Sequence, residues 1–407
     1  MRAYERLLKY VAFPTASDES SSQFPSSPAQ FDFGKALVQE MKKMGIADAT
    51  IDQNGYVYGT IPGNIPDKKA PTVGFVAHMD VVRDVPYENI KARVHKNYDG
   101  GDVVLNAEQN IVMRAAEFPE LQNYVGHDLV VTDGTTLLGA DDKAGIAEIL
   151  TMAERLLQDP SIRHGDVKIG FTPDEEIGRG PDRFDIPYFA ADFAYTVDGA
   201  AFGAVEYENF NAAACTIGIQ GKNIHPGASK NKMKNALLIA GELMAMLPAA
   251  ETPAHTEARE GFYHLTAVEG VVEEAKMHYI LRDHDAQKLE ERKAMVRRAV
   301  DFLNARYGEG TLTLEIVDQY RNMAEVMREH MHIIDTACAA VRELGAEPKS
   351  NPIRGGTDGA TLTYKGLICP NLGTGSHNHH GKMEYASVQA MDKCTDLLIK
   401  ILEAYAR

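Results

Sequence analysis

Tryptophan is absent from this 407-residue sequence, cysteine occurs four times, and basic residues are outnumbered by acidic ones. The missing tryptophan excludes nothing. The four cysteines, Cys215, Cys338, Cys369 and Cys394, lie far apart and form no C-x-x-C pair. That spacing argues against a zinc knuckle or a disulfide framework, and a reducing, cytoplasmic setting is the simplest expectation. Lys plus Arg number 42 against 58 Asp plus Glu, a formal net charge of -16. A surface that acidic repels phosphate backbones, so no nucleic-acid partner is expected. No apolar run approaches the ~20 residues that cross a bilayer, so no membrane partner is expected either. Residues 1–15 interrupt their apolar pattern with Arg2, Glu5, Arg6 and Lys9. They read as an amphipathic helix, without the unbroken apolar stretch of a signal peptide. Several catalytic signatures are missing too: HExxH, the G-x-S-x-G elbow, the Walker A loop and the dinucleotide-binding glycine fingerprint.

What is present is a globular composition, 44% hydrophobic and 25% charged. At about 100–200 residues per domain, the length fits two or three domains. Short β-type runs alternate with helical patterns, which predicts an α/β sheet domain. The run Thr72–Ala77 ends at His78-Met79-Asp80. Thr136–Gly139 leads into Ala140-Asp141-Asp142 and a helix pattern from Ile146 to Leu157. Val167–Phe171 ends at Thr172-Pro173-Asp174-Glu175-Glu176, and Phe193–Val197 ends at Asp198-Gly199. Gly366–Leu372 reads as a further strand, followed by a loop holding His379 and His380. Ligands of open α/β sheets bind outside the carboxyl ends of the strands, so these scattered side chains are expected to converge. From Asn211 the character changes. Strand patterns at Ala212–Gln220, Phe262–Val271, Glu274–Leu281 and Thr311–Val317, with helix patterns at Lys234–Leu247 and Ala286–Tyr307, predict a compact α+β insertion. The Ser-rich stretch Ser17–Ser27 reads as a surface loop.

The side chains at the run ends suggest a metal centre. Residues two apart on a strand point the same way, so His78 is placed to ligate while Asp80 takes the hydrogen bond of its other ring nitrogen. Asp141 and Asp142 at a helix start read either as a cap with its neighbour or as a carboxylate bridging two ions. Asp174, Glu175 and Glu176 repel one another and need compensating cations. Of the adjacent pair His379 and His380, one is expected to ligate. Two imidazoles, four or five carboxylates and no thiolate suit Zn2+, Mn2+ or Co2+ in a two-metal hydrolytic site.

Ten segments, among them GFVAHMD (Gly74–Asp80), TTLLGADDKAGIAEI (Thr135–Ile149), FTPDEEIGRG (Phe171–Gly180), YTVDGA (Tyr195–Ala200), EYENFNAA (Glu206–Ala213), NIHPG (Asn223–Gly227), MHYILRDHD (Met277–Asp285), PIRGGTDGA (Pro352–Ala360) and HHGKMEY (His379–Tyr385), carry a resemblance across the chain. It resembles the M20 family of co-catalytic metallopeptidases, and within it the enzymes that release the N-terminal residue of tripeptides. The resemblance implies a discontinuous, mixed-sheet α/β catalytic domain over 1–210 plus 320–407, with an inserted α+β lid and dimerisation domain over 211–319. It implies two divalent ions, Zn2+ foremost. One would be held by His78, Asp141 and Asp198, the other by Asp141, Glu176 and His380, which directly precedes Gly-Lys. Asp80 would orient His78, and Glu175 would act as general base. The Asp141-Asp142 peptide bond is expected to be cis. His225 would stabilise the oxyanion, and Arg282 or Arg354 would meet the substrate carboxylate. The expected partners are a short peptide and a second copy of the chain. The alternatives are another M20 hydrolase (dipeptidase, carboxypeptidase or N-acyl amino acid deacylase) and a non-catalytic metal- or peptide-binding dimer.

Overall fold

The computed structural model describes residues 1–65 and 70–407 of the chain. They form two compact units. The first comprises Met1–Tyr207, Val326–Ser350 and Thr357–Arg407, and the second Glu208–Glu325 and Asn351–Gly356. The sequence reading placed residues 351–356 in the first unit. They group with the second because Arg354 donates hydrogen bonds to the carbonyls of Thr256, Ala258 and Glu260. Among the described residues no helix is long and apolar enough to cross a membrane.

The first unit is built on a seven-stranded mixed sheet. Its order is Thr50–Ile51, Val57–Ile61, Val167–Thr172, Val73–His78, Phe193–Gly199, Asn371–Gly373 and Val205–Glu206. The middle four strands are parallel, and the outer pairings are antiparallel. Val73–His78 is buried at all six positions, as befits a central strand covered on both faces. Parallel pairing aligns the carboxyl ends of the strands that finish at His78, Thr172 and Gly199. The Ala140–Gln158 helix packs on the strands of His78 and Asp198, with the Ala3–Tyr10 and Val388–Tyr405 helices beside it.

Two local expectations change. Thr136–Gly139 is a loop, because the Leu138 and Gly139 amides donate to the Glu384 carboxylate instead of to a strand. The strand expected over Gly366–Leu372 is confined to Asn371–Gly373. Pro370, immediately before it, has no N–H to contribute to a ladder. A small antiparallel sheet (Ser376–His377, Tyr385–Ser387, Leu129–Val131, Arg93–His95) pins both ends of the loop that bears His379 and His380.

The second unit contains a four-stranded antiparallel sheet in the order Phe262–Gly270, Glu274–Asp283, Asn211–Gln220 and Leu312–Tyr320. The Ala236–Met246 and Ala286–Tyr307 helices supply Ile239, Leu243, Val296, Val300 and Leu303 to one core with Ile217, Met277 and Leu281. Asn235 and Asp285 cap those helices by accepting amides of the first turn.

Gly145 marks the closest approach of helix to sheet in the first unit. A Cβ there would lie 1.9 Å from the Val197 carbonyl oxygen. That neighbour is backbone, which cannot rotate aside as a side chain does. We therefore expect Gly145→Ala to destabilise the chain by about 1–3 kcal/mol, as overpacking does. Thermal unfolding reads this as a lowered midpoint. An unchanged midpoint would show that the helix can shift freely.

Candidate active site

The carboxyl ends of the parallel strands bring the expected side chains together. His78 is the last residue of its strand and is 2% exposed. Its Nε2 lies 3.0 Å from Asp141 Oδ1 and 3.4 Å from Asp198 Oδ1. Asp141 opens the Ala140–Gln158 helix with non-helical dihedrals, and its bond to Asp142 is cis. The second Asp141 oxygen faces the other way, 3.3 Å from His380 Nε2, which is itself 3.0 Å from Glu176 Oε2. Two groups of potential ligand atoms result, His78-Asp141-Asp198 and Asp141-Glu176-His380. Within each group the atoms lie within 4.8 Å of one another, and Asp141 belongs to both. Glu176 Oε1 is buried and has no hydrogen-bond partner among the described residues. Imidazole nitrogens, carboxylate oxygens and an orphaned buried oxygen are a donor set that fits divalent cations.

The ionisation of these groups reflects competition for positive charge. Burial disfavours the His78 imidazolium, but Asp198, Asp141 and Asp80 outweigh it and hold the group well above the ordinary histidine value. His380 is pushed up to about 11 by its hydrogen bonds to Asp141 and Glu176. Burial would raise Asp141, yet His379, His380 and His78 hold it well below the usual carboxylate range. Glu176 rises to about 8, chiefly through burial and then through the charge of Asp141. Glu175 is also held well above the ordinary glutamate value, by burial first. Its carboxylate makes no hydrogen bond among the described residues, so it is free to accept a proton.

Asp80 has more partners than the one expected. The His78 Nδ1 sits 3.1 Å from the Asp80 backbone oxygen and 3.5 Å from its carboxylate. The carboxylate itself accepts the amides of Glu175 and Glu176 at 3.0 and 3.1 Å. Asp80 therefore fixes the turn that presents both glutamates. Asp174 holds the same turn from behind, accepting the Ser26 amide and hydroxyl and the Gln30 side chain. The Ser17–Ser27 loop is exposed at Glu19, Ser20, Ser22 and Gln23, as expected, but its ends at Ser17, Ser26 and Ser27 are buried. Asp142 likewise looks inward and accepts the amides of His78 and Gly145.

The adjacent histidines separate. His379 Nε2 is engaged by Ser376 Oγ at 2.8 Å, and its Nδ1 is 3.4 Å from Asp141. His380, at a φ of 61°, turns toward both Asp141 and Glu176. Glu384 was not anticipated. Its buried carboxylate accepts the amides of Leu138, Gly139 and Asp141 at 2.8, 2.7 and 3.0 Å. Asp358 was also missed. It accepts from Thr172 Oγ1 at 2.6 Å, and burial pushes it up to about 7. Both lie in segments quoted above, yet neither has a local pattern that signals a role.

The remaining expected residues belong to the second unit. Arg354 Nη1 donates to the Ala258 and Glu260 carbonyls, and Nη2 donates to the Thr256 carbonyl and hydroxyl. Its plane covers Phe210 and Phe262. Without a substrate, that guanidinium is engaged within its own unit. Arg282 donates through Nη1 to the Arg354 carbonyl, and its buried Nε has no hydrogen-bond partner among the described residues. The ion pair it might have formed with Asp283 goes instead to Arg292. His225 is exposed, and its Nδ1 accepts the Gly227 amide at 3.2 Å.

Known proteins match this chain at the level of domain, sequence and fold. Residues 207–310 match the peptidase dimerisation domain. Peptidase T of Caldanaerobacter subterraneus subsp. tengcongensis is 54% identical over 406 residues, covering 100% of this chain and 99% of the relative. Peptidase T of Alkaliphilus oremlandii is 53% identical, covering 99% of each. Among solved structures, aminopeptidase PepT of Bacillus cereus superposes with a TM-score of 0.77 at 22% identity, over 100% of this chain and 98% of that one. A dinuclear metal-binding M20 peptidase of Bacillus subtilis superposes at 0.62 with 14% identity, over 99% and 98%. At such identities the two structures speak for the fold, while the full-length sequence relatives decide the family. The chain belongs to the peptidase T family.

Proposed function

We propose that the chain is a tripeptide aminopeptidase that hydrolyses the first peptide bond of its substrate with two divalent ions. The observation that carries this reading is Asp141, whose two oxygens face two separate histidine–carboxylate groups. His78, Asp141 and Asp198 would hold one ion, and Asp141, Glu176 and His380 the other. The hard donor set without thiolates favours Zn2+, with Mn2+ and Co2+ as workable substitutes. When bound, such ions polarise the scissile carbonyl and make a water more acidic.

The rest of the work falls to side chains. Glu175 takes the proton of the attacking water and returns it to the leaving amine. A carboxylate raised by burial is suited to both transfers near neutral pH. Asp80 keeps Glu175 and Glu176 in register by holding both amides. From the second unit, we assign Arg282 to the terminal carboxylate of the peptide and His225 to the developing oxyanion. The unsatisfied Nε of Arg282 supports the first assignment. We also propose a homodimer formed through the second unit. Its Ala236–Met246 helix leaves Leu237, Leu238 and Met244 exposed, Leu238 at 68%. A cytoplasmic location is supported by four free cysteines, three of them buried.

Three measurements test these assignments. Glu175→Gln should retain both metal equivalents and lose roughly 10²–10⁴-fold in kcat, the usual worth of a general base. The assay panel is di-, tri- and tetrapeptides, each free and N-acetylated. Preferred cleavage of acetylated or dipeptide substrates would place the chain with other M20 activities. Second, His380→Ala should lose one metal equivalent by elemental analysis while His379→Ala keeps two. The reverse result would move the ligand to His379. Third, Leu238→Glu should convert a dimer to a monomer in sedimentation equilibrium. A persisting dimer would put the interface elsewhere.

A further inference from the structure

Within the first unit, Glu206 is a carboxylate that none of the assignments above uses. It lies on the two-residue edge strand Val205–Glu206. Sheet register ties it to the metal-ligating groups. Glu206 pairs with Asn371, and Asn371 pairs with Thr196, two residues before Asp198 on the same strand. Paired residues share a face, and so do residues two apart. Asp198 itself sits at a register shift in that pairing, and its charge is felt at Glu206. Two strand spacings of ~4.8 Å and one two-residue step of ~6.6 Å separate their backbones. Backbones about 12 Å apart leave room between them for two side chains and a group the size of one amino-acid residue.

Side-chain bonds hold Glu206 in this position. Thr196 Oγ1 donates to Asn371 Oδ1 at 2.9 Å, and Asn371 Nδ2 donates to Glu206 Oε2 at 2.9 Å. The first of these bonds orients the amide so that its N–H faces Glu206. Thr196 and Asn371 are buried, while Glu206 is half-buried. Among the described residues, Glu206 Oε1 has no hydrogen-bond partner and no Lys or Arg lies within ion-pair distance of the carboxylate. A carboxylate anchored on one oxygen, partly withdrawn from water and lacking a cation leaves a place for a cation. It belongs to neither group of potential metal ligands, so a ligand bearing positive charge suits it better than an ion. Burial pushes its ionisation up to about 7, and the charges of Asp198 and His379 are felt there as well.

Other carboxylates near the centre lack this combination. Glu384 and Asp80 spend their oxygens on backbone amides, and Asp358 is bonded to Thr172 and buried. Glu148 also has unpartnered oxygens, but it is completely enclosed.

We propose that Glu206 binds the α-ammonium group of the substrate's N-terminal residue, held in place for that contact by Asn371 and Thr196. The proposal rests on the aminopeptidase reading and deepens it. It supplies a reason for a free amine to be preferred: a cation replaces the proton or water that otherwise meets Oε1, and an acylated or missing amine leaves the carboxylate unpaired.

The test compares a free tripeptide with its desamino analogue, in which hydrogen replaces the α-amine. Both are assayed on the metal-loaded, full-length protein. Wild type should favour the free peptide in kcat/KM. Glu206→Gln should shrink that preference roughly 10- to 100-fold, mainly through KM for the free peptide, as removal of a partly buried charge partner does. Its rate on the desamino analogue, metal content and unfolding midpoint should stay near wild type. If Glu206→Gln folds poorly, Glu206→Asp serves instead. It keeps the charge but shortens the reach, and should lose part of the preference. A folded, metal-loaded variant with the full wild-type preference overturns the assignment of Glu206 alone. A wild type that cleaves neither peptide overturns the aminopeptidase reading itself.

Discussion

The structure depends on one shared carboxylate. Asp141 stands between His78 and His380, one oxygen toward each, and the two clusters of potential ligands meet only there. A group that serves two partners tolerates little displacement. Its backbone is accordingly fixed from several directions. Glu384 takes the Asp141 amide and the two amides upstream of it, Asp142 takes the amides of His78 and Gly145, and Gly145 lets the helix lie against the Asp198 strand.

The acids of this region divide into two kinds. Asp141, Glu176 and Asp198 direct oxygens toward the cluster; burial raises Glu175, Glu176 and Asp198, while the surrounding histidines hold Asp141 low. Asp80, Asp174 and Glu384 instead receive backbone amides, and charge-assisted bonds of that kind are stronger than neutral ones. Asp80 accepts the amides of Glu175 and Glu176, and Asp174, the residue before them, is tied to Ser26 and Gln30. The second kind makes the first kind possible, since a repulsive group of carboxylates stays assembled only if its backbone cannot move apart. Arg354 shows the same economy with reversed sign, a cation securing three carbonyls of the 256–260 segment.

Much of this was legible in sequence. Acids and a histidine at the ends of buried apolar runs announced a site at strand termini, and the change of pattern near Asn211 announced a four-stranded antiparallel insertion with two helices. The signal weakened where partners lie far apart in the chain. Glu384 is more than 240 residues from the amides it holds. The Ser26–Asp174 bond spans 148 residues, so a Ser-rich stretch that looked solvated is partly buried. Glu206 opens the quoted segment EYENFNAA without a local pattern that signals a role, and only the pairing through Asn371 ties it to the strand of Asp198.

Residue chemistry and periodicity by themselves pointed to the class of site and to most of the strands and helices that carry it, while the quoted motifs carried the family resemblance. Those properties are local: a period of two or 3.6, an apolar run and what ends it. Tertiary structure alone decided which oxygen faces which nitrogen. It gave the Asp80 carboxylate two amides besides His78, bonded Arg354 to carbonyls of its own unit and left Arg282 with an unsatisfied nitrogen. These choices depend on strand register and on where loops return. Register is set by the packing of the whole sheet, so no local pattern around the residues concerned encodes it.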